Sequence, residues 1–387
     1  MLITIFWISI FLVFYCYLGY PVALKLMALF LKRAVKRAEF YPKVSIILSL
    51  WNEADVIEAK IKNLLSLDYP AEHLEIWAGS DGSTDRTVEI IKQFSDPRVH
   101  LLEQRQRQGK AQTINALLKC VKSDIVIFTD ARQPFAKNAL KELVQNFSDP
   151  TVGCVSGELV FSPREGATAR GISLYWKYEK FIRAEESKIH SMLGATGAIY
   201  AIRRELFTEI PEKVVLDDMF VPLKIIEKGF RAIFDEQAKA YDEVADQPRE
   251  EYRRKARTLY GNYQIFFLLP QMFNPLRSPV ALQLFSHKFL RVVAPILLGM
   301  VFLINIFLAD QPIYAVTLIL QMIFYLLALI GGLARHQKHG ILKGILKICY
   351  IPYVFCLLNF SALAGLLRFM SDKQDAAWQK ARDNTKG

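Results

Sequence analysis

Apolar residues are concentrated at the two ends of the 387-residue chain, whereas the middle alternates short apolar runs with longer amphipathic ones. Residues 2–24 contain no charged side chain, and further apolar stretches lie near 289–309, 312–333 and 341–367. A stretch of about 20 apolar residues is long enough to cross the hydrocarbon core of a bilayer as a helix. The pattern therefore predicts transmembrane helices at both ends and a globular domain between them.

The alternation in the middle predicts an α/β domain built on a mostly parallel sheet. Helical patterns near 54–66, 84–95 and 109–121 separate four short apolar runs that fit buried strands. The predicted strands cover residues 44–50, 74–78, 99–102 and 125–129. Right-handed crossovers between such strands place helices on both faces of the sheet, and ligands bind beyond the carboxyl ends of the strands. The residues that directly follow each strand are therefore candidates for a binding site.

Polar and acidic residues follow three of these strands. Asn52 and Glu53 come after the first strand, Asp81 after the second, and Asp130 and Arg132 after the fourth. Acidic and amide side chains also cap helices, because their oxygens accept hydrogen bonds from the first helical turn. Capping alone could explain any one of these loops, but three acidic loops at one sheet edge favour a ligand site.

The formal net charge of +11 is explained largely by basic residues beside the apolar stretches, where anionic lipid headgroups lie, so nucleic acid is not an expected partner. The basic residues that directly follow the first stretch are Lys25, Lys32, Arg33, Lys36 and Arg37. Such a bias holds its flank on the cytoplasmic side of a membrane. We therefore expect a multi-pass protein of the plasma (inner) membrane with its central domain in the cytoplasm.

The charge pattern leaves the side of the C-terminal tail open. A basic turn containing Arg335, Lys338 and Lys343 would face the cytoplasm, and so would the tail after Arg368. Three complete spans would instead put the tail outside, and the roughly 27 residues of 341–367 are too few for two crossings. That segment could be a span, or it could be re-entrant or interfacial.

On this basis we divide the chain into five segments. They are an N-terminal transmembrane helix with its basic flank (1–41), a globular domain (42–260), interfacial helices (261–288), a C-terminal transmembrane region (289–370) and a basic tail (371–387). The five cysteines form no C-x-x-C pair and the six histidines form no H-E-x-x-H motif, so the sequence indicates no zinc site.

The ordered motifs of the central region resemble glycosyltransferase family 2, a group with a GT-A-type, Rossmann-like nucleotide-sugar domain that includes cellulose, chitin and hyaluronan synthases. The matching motifs are Val44-Ser45-Ile46-Ile47, Asn52-Glu53, Asp81-Gly82-Ser83-Thr84-Asp85, Gly109-Lys110, Phe128-Thr129-Asp130-Ala131, Gly194-Ala195-Thr196-Gly197-Ala198, Leu216-Asp217-Asp218 and Arg253-Arg254-Lys255-Ala256-Arg257. The apolar ends are similar to the membrane-integrated branch of the family. The resemblance implies an inverting, membrane-bound hexosyl- or N-acetylhexosaminyltransferase.

The resemblance also implies roles on the donor side. Asp81 matches the family residue that hydrogen-bonds the nucleobase, usually uracil, so a UDP-sugar is the expected donor. Asn52 and Glu53 lie on the neighbouring loop, and Lys110 would approach the nucleotide. Without a ligand role, Lys110 would be a solvated residue at the start of a helix.

Asp218 matches the general base of the family, and Asp217 precedes it where glutamate is more usual. Adjacent carboxylates repel each other, so partial burial of both should raise one pKa toward the range that suits base catalysis. The alternative is structural, because two acidic residues at the start of a helix interact favourably with its macrodipole.

The motif after the fourth strand departs from the family pattern. Family members usually carry Asp-x-Asp there, and its last carboxylate binds Mn²⁺ or Mg²⁺ at the diphosphate, whereas this chain has Arg132. A guanidinium cannot bind a metal ion, but it pairs well with phosphate oxygens. Either Asp130 alone helps to hold Mg²⁺ or Mn²⁺, or Arg132 supplies the positive charge instead. We expect the metal dependence to be retained.

The basic segment is the second departure. Processive members carry Gln-x-x-Arg-Trp, whose arginine meets the diphosphate and whose tryptophan lines the acceptor channel. Aligned on that arginine, this chain has Arg257 followed by Thr258, so the channel aromatic is absent and processivity stays open. Arg257 and Arg254 are expected to bind the donor, although five basic residues over 249–257 could also form a membrane-surface helix.

Trp176 and Gly197 are the candidate acceptor contacts. An aromatic face can stack on a sugar ring and a glycine lets a saccharide approach the backbone, although aromatic residues more often serve packing. The expected partners are a nucleotide-sugar donor, a saccharide or lipid acceptor and membrane lipids. The sequence does not set the sugar, the linkage or the oligomeric state.

Three functions fit the sequence. The leading one is the synthesis of a polysaccharide or glycolipid. A narrower one is the transfer of a single sugar to a polyprenyl phosphate or ceramide-like lipid. The third is a transport or scaffold protein with a degenerate transferase fold, although the clearest apolar runs contain almost none of the charged residues that mark transport paths.

Overall fold

A seven-stranded sheet forms the centre of the described residues, which are 1–162, 167–243, 248–333 and 343–371 of this computed structural model. The strands are β1 (Val44–Leu50), β2 (Leu74–Asp81), β3 (Val99–Gln104), β4 (Ile125–Thr129), β5 (Val152–Ser162), β6 (Tyr200–Arg203) and β7 (Arg231–Glu243). Their order across the sheet is β3-β2-β1-β4-β6-β5-β7. The predicted basic turn at Arg335 and Lys338 and the basic tail after residue 371 lie outside the described residues.

Most strand pairs are parallel, which confirms the predicted mostly parallel sheet. β1 pairs in parallel with β2 and β4, β2 with β3, and β5 with β7. β6 is antiparallel to both β4 and β5. Because both faces of the sheet are covered, β4 is buried along its whole length. The carboxyl ends of β1, β2 and β4 meet at one edge, where the sequence places the candidate site.

The described chain contains helices that cover both faces of this sheet and further helices toward its two ends. They are α1 (Leu2–Phe14), α2 (Tyr20–Phe30), α3 (Ala54–Leu65), α4 (Thr87–Lys92), α5 (Lys110–Cys120), α6 (Ala139–Val144), α7 (Ala167–Ile189), α8 (Asp217–Glu227), α9 (Pro248–Leu268), α10 (Ala281–Gln283), α11 (Leu290–Phe307), α12 (Pro312–Leu333) and α13 (Lys343–Met370). Apolar residues of α3 and α6 share one buried cluster with the strands, and those of α5 and α8 share another. The core of the domain therefore has one layer on each side of the sheet.

The helix that follows β2 is shorter than predicted. The pattern over 84–95 predicts a start near Thr84, but α4 begins at Thr87. The amide N–H of Thr84 donates to Asn52 Oδ1 at 2.7 Å, and Asp85 Oδ1 accepts the amide N–H of Thr87 at 3.0 Å. Residues 83–85 therefore form a turn tied to the loop after β1, and Asp85 contacts the first residue of α4.

Four helices are long and apolar enough to cross a membrane, judged by length and composition over the described part of the chain. They are Leu2–Phe30, Ala281–Phe307, Pro312–Leu333 and Ile348–Met370. The first joins α1 to α2 through a π-helical turn, and the second joins α10 to α11 in the same way. The last lies within α13, which is one uninterrupted helix rather than a path that reverses.

A buried polar cluster joins α7 to both terminal regions. Glu186 accepts a hydrogen bond from the Tyr20 hydroxyl at 2.8 Å and lies 2.8 Å from His287 Nδ1. Glu179, on the same helix, lies 3.2 Å from His287 Nε2 and pairs with Arg291. Such partners are needed because an unpaired buried charge is strongly destabilising. The terminal helices are therefore fastened to the domain through α7.

Candidate active site

A cavity of about 370 Å³ opens at the carboxyl edge of β4. Its walls come from the loop after β4, the loop at 194–198, and helices α7, α8 and α9. The sequence-based candidates that line it are Lys110, Asp130, Arg132, Trp176, Gly197, Asp218, Arg254 and Arg257. The fold therefore brings together residues that are far apart in the sequence.

Lys110 is the first residue of α5, and its ammonium group lies between carboxylates. Its Nζ is 3.1 Å from Asp130 Oδ1 and 3.5 Å from Asp217 Oδ2. Burial disfavours the charged amine, but the attraction of Asp130, Asp217 and Asp218 outweighs it and raises the pKa of Lys110 above its ordinary value. Lys110 is therefore a fixed cation inside the cavity rather than a solvated side chain.

Asp218 and Asp130 face each other across Gly197. A Cβ atom placed on Gly197 would lie 3.4 Å from Asp218 Oδ2 and 3.8 Å from Asp130 Oδ2. Glycine therefore keeps the space between the two carboxylates clear. The backbone of Asp218 is also held from this side, because its C=O accepts the amide N–H of Ala195 at 2.7 Å.

The pKa of Asp218 moves in the direction expected for adjacent buried carboxylates. Burial and repulsion from Asp217 raise this pKa to about 6, although Lys110 and Arg183 act against the rise. A carboxylate with such a pKa is mostly ionised at neutral pH and is still basic enough to accept a proton. Asp218 therefore has the properties of a general base.

Asp81 is the last residue of β2, where it organises the loop that precedes α5. Its carboxylate accepts the amide N–H groups of Gln108 at 2.6 Å and of Gly109 at 2.9 Å. The sequence left open that Asp81 caps the helix after β2, but Asp81 instead supports the start of α5. Gly82 follows with φ +63°, and a Cβ there would lie only 2.8 Å from the Arg107 nitrogen.

Asn52 and Glu53 have local partners and do not line the 370 Å³ cavity. Asn52 adopts φ +54° and binds the turn at Thr84, so its side chain connects two loops. Glu53 is only 2% exposed and lies 3.5 Å from Arg132 Nε. In the structure, Glu53 therefore holds the guanidinium of Arg132 at the rim of the cavity.

Among the described residues, the loop after β4, where a divalent cation is expected, carries one carboxylate, that of Asp130. No group of three His, Cys, Asp or Glu side chains in the described ranges could hold a metal ion. Asp130 is available there, although it pairs with Lys110. Mg²⁺ is commonly bound by one or two carboxylates together with substrate phosphates, so the site fits such an ion only if the donor supplies the remaining oxygens.

Trp176 and basic residues of α9 form one wall of the cavity. The Trp176 ring lies 5.7 Å from the Arg254 guanidinium, 5.3 Å from Lys255 Nζ and 5.2 Å from the Phe161 ring. These cation–π and aromatic contacts mean that Trp176 serves packing as well as lining the cavity. Its indole face is shared with protein cations in this structure.

Arg257 is a second, partly buried cation that lies near the carboxylates. Burial lowers its pKa from the ordinary value, whereas Asp217, Asp218 and Asp130 act in the opposite direction. An arginine stays charged at physiological pH in either case. Within the described part of the chain, its guanidinium has no hydrogen-bond or ion-pair partner, so it remains available to an anionic ligand.

Arg183 belongs to the site but was missed by sequence reasoning. Its Nη1 donates to Thr196 Oγ1 at 2.6 Å, which brings the guanidinium to the loop at 194–198 and close enough to act on Asp218. It is one of several charged residues along the amphipathic pattern of α7. Nothing in that pattern distinguishes it from its solvated neighbours.

Lys60 was also missed, although the sequence carried a signal for it. It falls on the apolar stripe of α3, together with Ile57, Ile61 and Leu64, and is only 3% exposed. Its Nζ donates to Thr129 Oγ1 at 2.8 Å and to the C=O of Gln133 at 2.5 Å. Burial lowers its pKa to about 7, against the attraction of Asp130. Lys60 thus supports both ends of the loop that carries Asp130 and Arg132.

Comparison with known sequences relates part of this chain to a described family. Residues 45–210 match the family model described as Glycosyl transferase family 2. The chain is 25% identical over 281 residues to a probable glycosyltransferase, YdaM, of Bacillus subtilis (strain 168), covering 69% of this chain and 67% of that protein. It is 34% identical over 119 residues to a beta-monoglucosyldiacylglycerol synthase of Synechocystis sp., covering 30% of this chain and 25% of that protein.

A further relative is a poly-beta-1,6-N-acetyl-D-glucosamine synthase of Staphylococcus aureus, 24% identical over 248 residues, with 61% of this chain and 58% of that protein covered. The chain thus spans from a quarter to two thirds of the length of these three relatives.

In three dimensions, the chain is similar to a mannosyltransferase from Pyrobaculum calidifontis that was solved in complex with GDP-Man and Mn²⁺. The TM-score is 0.72 at 24% identity, and the match covers 97% of this chain and 100% of that one. A likeness at this identity shows the fold, which is of the GT-A type. The chain thus contains a domain with a GT-A fold, flanked at both ends by candidate transmembrane helices, and residues 45–210 of this domain match glycosyltransferase family 2.

Proposed function

We propose that this protein is a membrane-bound, inverting glycosyltransferase that moves a sugar from a nucleotide-sugar, expected to be a UDP-sugar, to a saccharide or lipid acceptor. Asp218 is its general base. The observation that carries this proposal is the partly buried Asp218 carboxylate, which faces Asp130 across Gly197 in a cavity that also contains the cations Lys110 and Arg257.

The chemistry follows from this arrangement of charge. The acceptor oxygen attacks the anomeric carbon while the bond from that carbon to the diphosphate oxygen breaks, and the electron pair leaves with the nucleoside diphosphate. Asp218 takes the acceptor proton, a contribution of roughly 10²–10⁴-fold in rate. Lys110 and Arg257 stabilise the negative charge that develops on the diphosphate. Attack from the face opposite the leaving group inverts the anomeric configuration.

The loop after β4 adds positive charge on the donor side. Arg132 stays at the rim, oriented by Glu53, and can pair with a phosphate oxygen. Mg²⁺ or Mn²⁺, when bound at Asp130 together with donor oxygens, would supply further neutralisation of the diphosphate.

A lipid or lipid-linked acceptor is favoured by the position of Lys288. This residue lines the cavity, yet it belongs to Ala281–Phe307, a helix long and apolar enough to cross a membrane. Leu282 and Phe285 in the same turns are 57% and 40% exposed, so this helix presents one face to the cavity and another outward. The cavity would then lie at the level of lipid headgroups. Single-sugar transfer to such a lipid is the second candidate function.

We further propose that the protein is multi-pass in the plasma (inner) membrane with its catalytic domain in the cytoplasm. A cytoplasmic catalytic domain would take its nucleotide-sugar from the cytoplasm, and the basic flank after Phe30 supports this orientation of the chain. The candidate spans at both ends supply the anchoring helices.

Nucleotide release from a panel of UDP- and GDP-sugars, measured with the full chain in lipid nanodiscs, tests the proposed function. We expect release from at least one donor, and turnover of Asp218→Asn below about a tenth of wild type with nucleotide affinity within about twofold. Glu227→Gln, at the opposite end of α8, is the matched control and should keep its activity. Turnover of Asp218→Asn above that tenth would refute the base, and no release from any donor would refute the enzyme.

A further inference from the structure

Arg257, Gly261 and Gln264 lie on one face of α9. Their spacing of four and then three residues brings them onto the same side of a helix, one turn after another. The first of them lines the catalytic cavity. The other two contact the chain segment that leads into α8, the helix whose first two residues are Asp217 and Asp218. One helix face therefore touches both the cavity and the support of the base.

Gln264 binds the backbone just ahead of the base. Its Oε1 accepts the amide N–H of Val215 at 3.1 Å, and its Nε2 donates to the C=O of Lys213 at 2.8 Å. Val215 is buried, so its N–H would be without a partner if the side-chain amide were removed. Because Val215 comes three residues before Asp218, this pair of hydrogen bonds fixes where α8 begins.

Gly261 lets α9 approach the same segment closely. A Cβ atom there would lie 2.4 Å from Leu216 Cγ and 2.9 Å from its Cδ1, so any side chain would displace the leucine. Leu216 directly precedes Asp217 and stands at the N-terminal boundary of α8. A shift of Leu216 would therefore move the two aspartates with it.

The start of α8 is held from the opposite side as well. The C=O of Asp218 accepts the amide N–H of Ala195, in the loop whose Gly197 faces the Asp218 carboxylate. The base is therefore held between that loop and α9. Because α9 also carries Arg257, one helix contacts the support of the base and carries this cation.

We propose that Gln264 and Gly261 are positioning residues for the general base. They fix the position of the start of α8, and therefore of Asp218, relative to Arg257. One face of α9 would thus set the distance between the base and the cation that binds the diphosphate. This inference rests on the proposed role of Asp218. Gln264 touches no reacting atom, and it acts through the backbone at Lys213 and Val215.

The test compares Gln264→Leu with Gln264→Glu and with a matched control. Gln271→Leu is the control, because Gln271 Nε2 donates to Glu227 Oε1 at 2.6 Å and so ties the chain to the far end of α8. For Gln264→Leu we expect kcat to fall at least about tenfold with the donor KM within about twofold, since small misplacements of reacting groups are costly.

The pH dependence of kcat distinguishes a residue that positions the base from one that only stabilises the fold. A displaced base changes its distance from Lys110 and Arg183, so the acid limb of the kcat profile should move in Gln264→Leu and stay in place in Gln271→Leu. Gln264→Glu keeps an oxygen for the Val215 N–H, and its kcat should lie between those of wild type and Gln264→Leu. Gly261→Ala should reproduce the loss through the other contact.

Several outcomes would overturn the inference. One is a Gln264→Leu variant that melts at a lower temperature but keeps the kcat and pH profile of the control. Another is a rise in donor KM with unchanged kcat, which would assign this face to donor binding alone. If wild type releases nucleotide and Asp218→Asn does too, the proposed base fails instead, and this inference fails with it.

Discussion

Lys110 and Asp218 show how the surroundings in one cavity shift the pKa values of a cation and of a carboxylate differently. Burial disfavours the ionised form of both residues. Three nearby carboxylates more than compensate for this at Lys110, whereas at Asp218 the neighbouring Asp217 adds to the effect of burial. The lysine is therefore permanently charged, and the aspartate is the group that titrates near neutrality. This division suits a site that must bind a diphosphate and accept a proton.

The pH dependence of the reaction should report Asp218. The base must be ionised, and burial raises its pKa to about 6. We therefore expect kcat to be independent of pH above about 7 and to fall about tenfold per unit below about 5.5. Initial rates between pH 5 and 8 at saturating donor check this. A flat profile down to pH 5 would contradict the assignment.

Removal of divalent cations tests the role of Asp130. We expect excess EDTA to reduce turnover to under about a tenth, and Mn²⁺ or Mg²⁺ to restore it, because a single carboxylate and the donor diphosphate suffice to hold such an ion. Turnover and nucleotide affinity should be measured together. Undiminished turnover in EDTA would show instead that Lys110, Arg132 and Arg257 supply the positive charge by themselves.

Among the elements, α3 has a function beyond packing, because Lys60 projects from its apolar stripe toward the β4 loop. The amine donates to both ends of that loop and also lies 4.3 Å from the Phe135 ring centroid. The conformation of the loop after β4 therefore depends on α3, which does not itself line the cavity.

Replacement of Lys60 should change both activity and the pH dependence of stability. Its pKa is about 7 in the folded state and near 10.4 in an unfolded chain, so the unfolded state binds more protons between these values. Wild type should consequently gain stability relative to Lys60→Met as pH rises from about 7 to 9. Thermal melts at both pH values measure this, and kcat of the variant should fall about tenfold as the loop loosens.

Lys62→Met is the control for that experiment. Lys62 is on the same helix, but its side chain is 65% exposed and pairs with Glu58 at the surface. It should leave the activity and the pH dependence of melting close to those of wild type. Parallel melting curves for Lys60→Met and wild type would contradict the role given to Lys60.

Elements with strong local patterns were predictable from the sequence, and long-range contacts were not. The four predicted strands and the long apolar helices at both ends are confirmed, because runs of apolar residues determine them locally. The partners of Asp81 could not be predicted, since its carboxylate binds amides at 108 and 109 instead of the helix that follows it. Arg183 was missed for the same reason: its role depends on a residue, Thr196, from a different segment.

At the scale of the whole molecule, the arrangement of the candidate spans decides which compartment the cavity faces. The basic flank after Phe30 and the exposed apolar faces of the terminal helices together predict a membrane-embedded enzyme with a cytoplasmic domain. Under this proposed topology, the cavity would receive its donor from the cytoplasm and its acceptor from the bilayer side.

Cysteine labelling can check this orientation. Lys92→Cys places a thiol on an exposed position of α4 in the catalytic domain, away from the cavity. We expect a membrane-impermeant maleimide to label it in inverted membrane vesicles and to leave it unlabelled in intact cells. The wild-type chain, with its own five cysteines, provides the background. Labelling in intact cells would reverse the proposed topology.

The polar cluster on α7 has a practical consequence for anyone who wants this transferase in soluble form. A truncated protein of residues 42–260 would retain Glu179 and Glu186 but lose Tyr20, His287 and Arg291, which surround them. Two carboxylates would then be stranded on a helix that borders the catalytic cavity. We therefore expect residues 42–260 alone to be unstable, and we expect studies of activity to need the full chain in detergent or lipid.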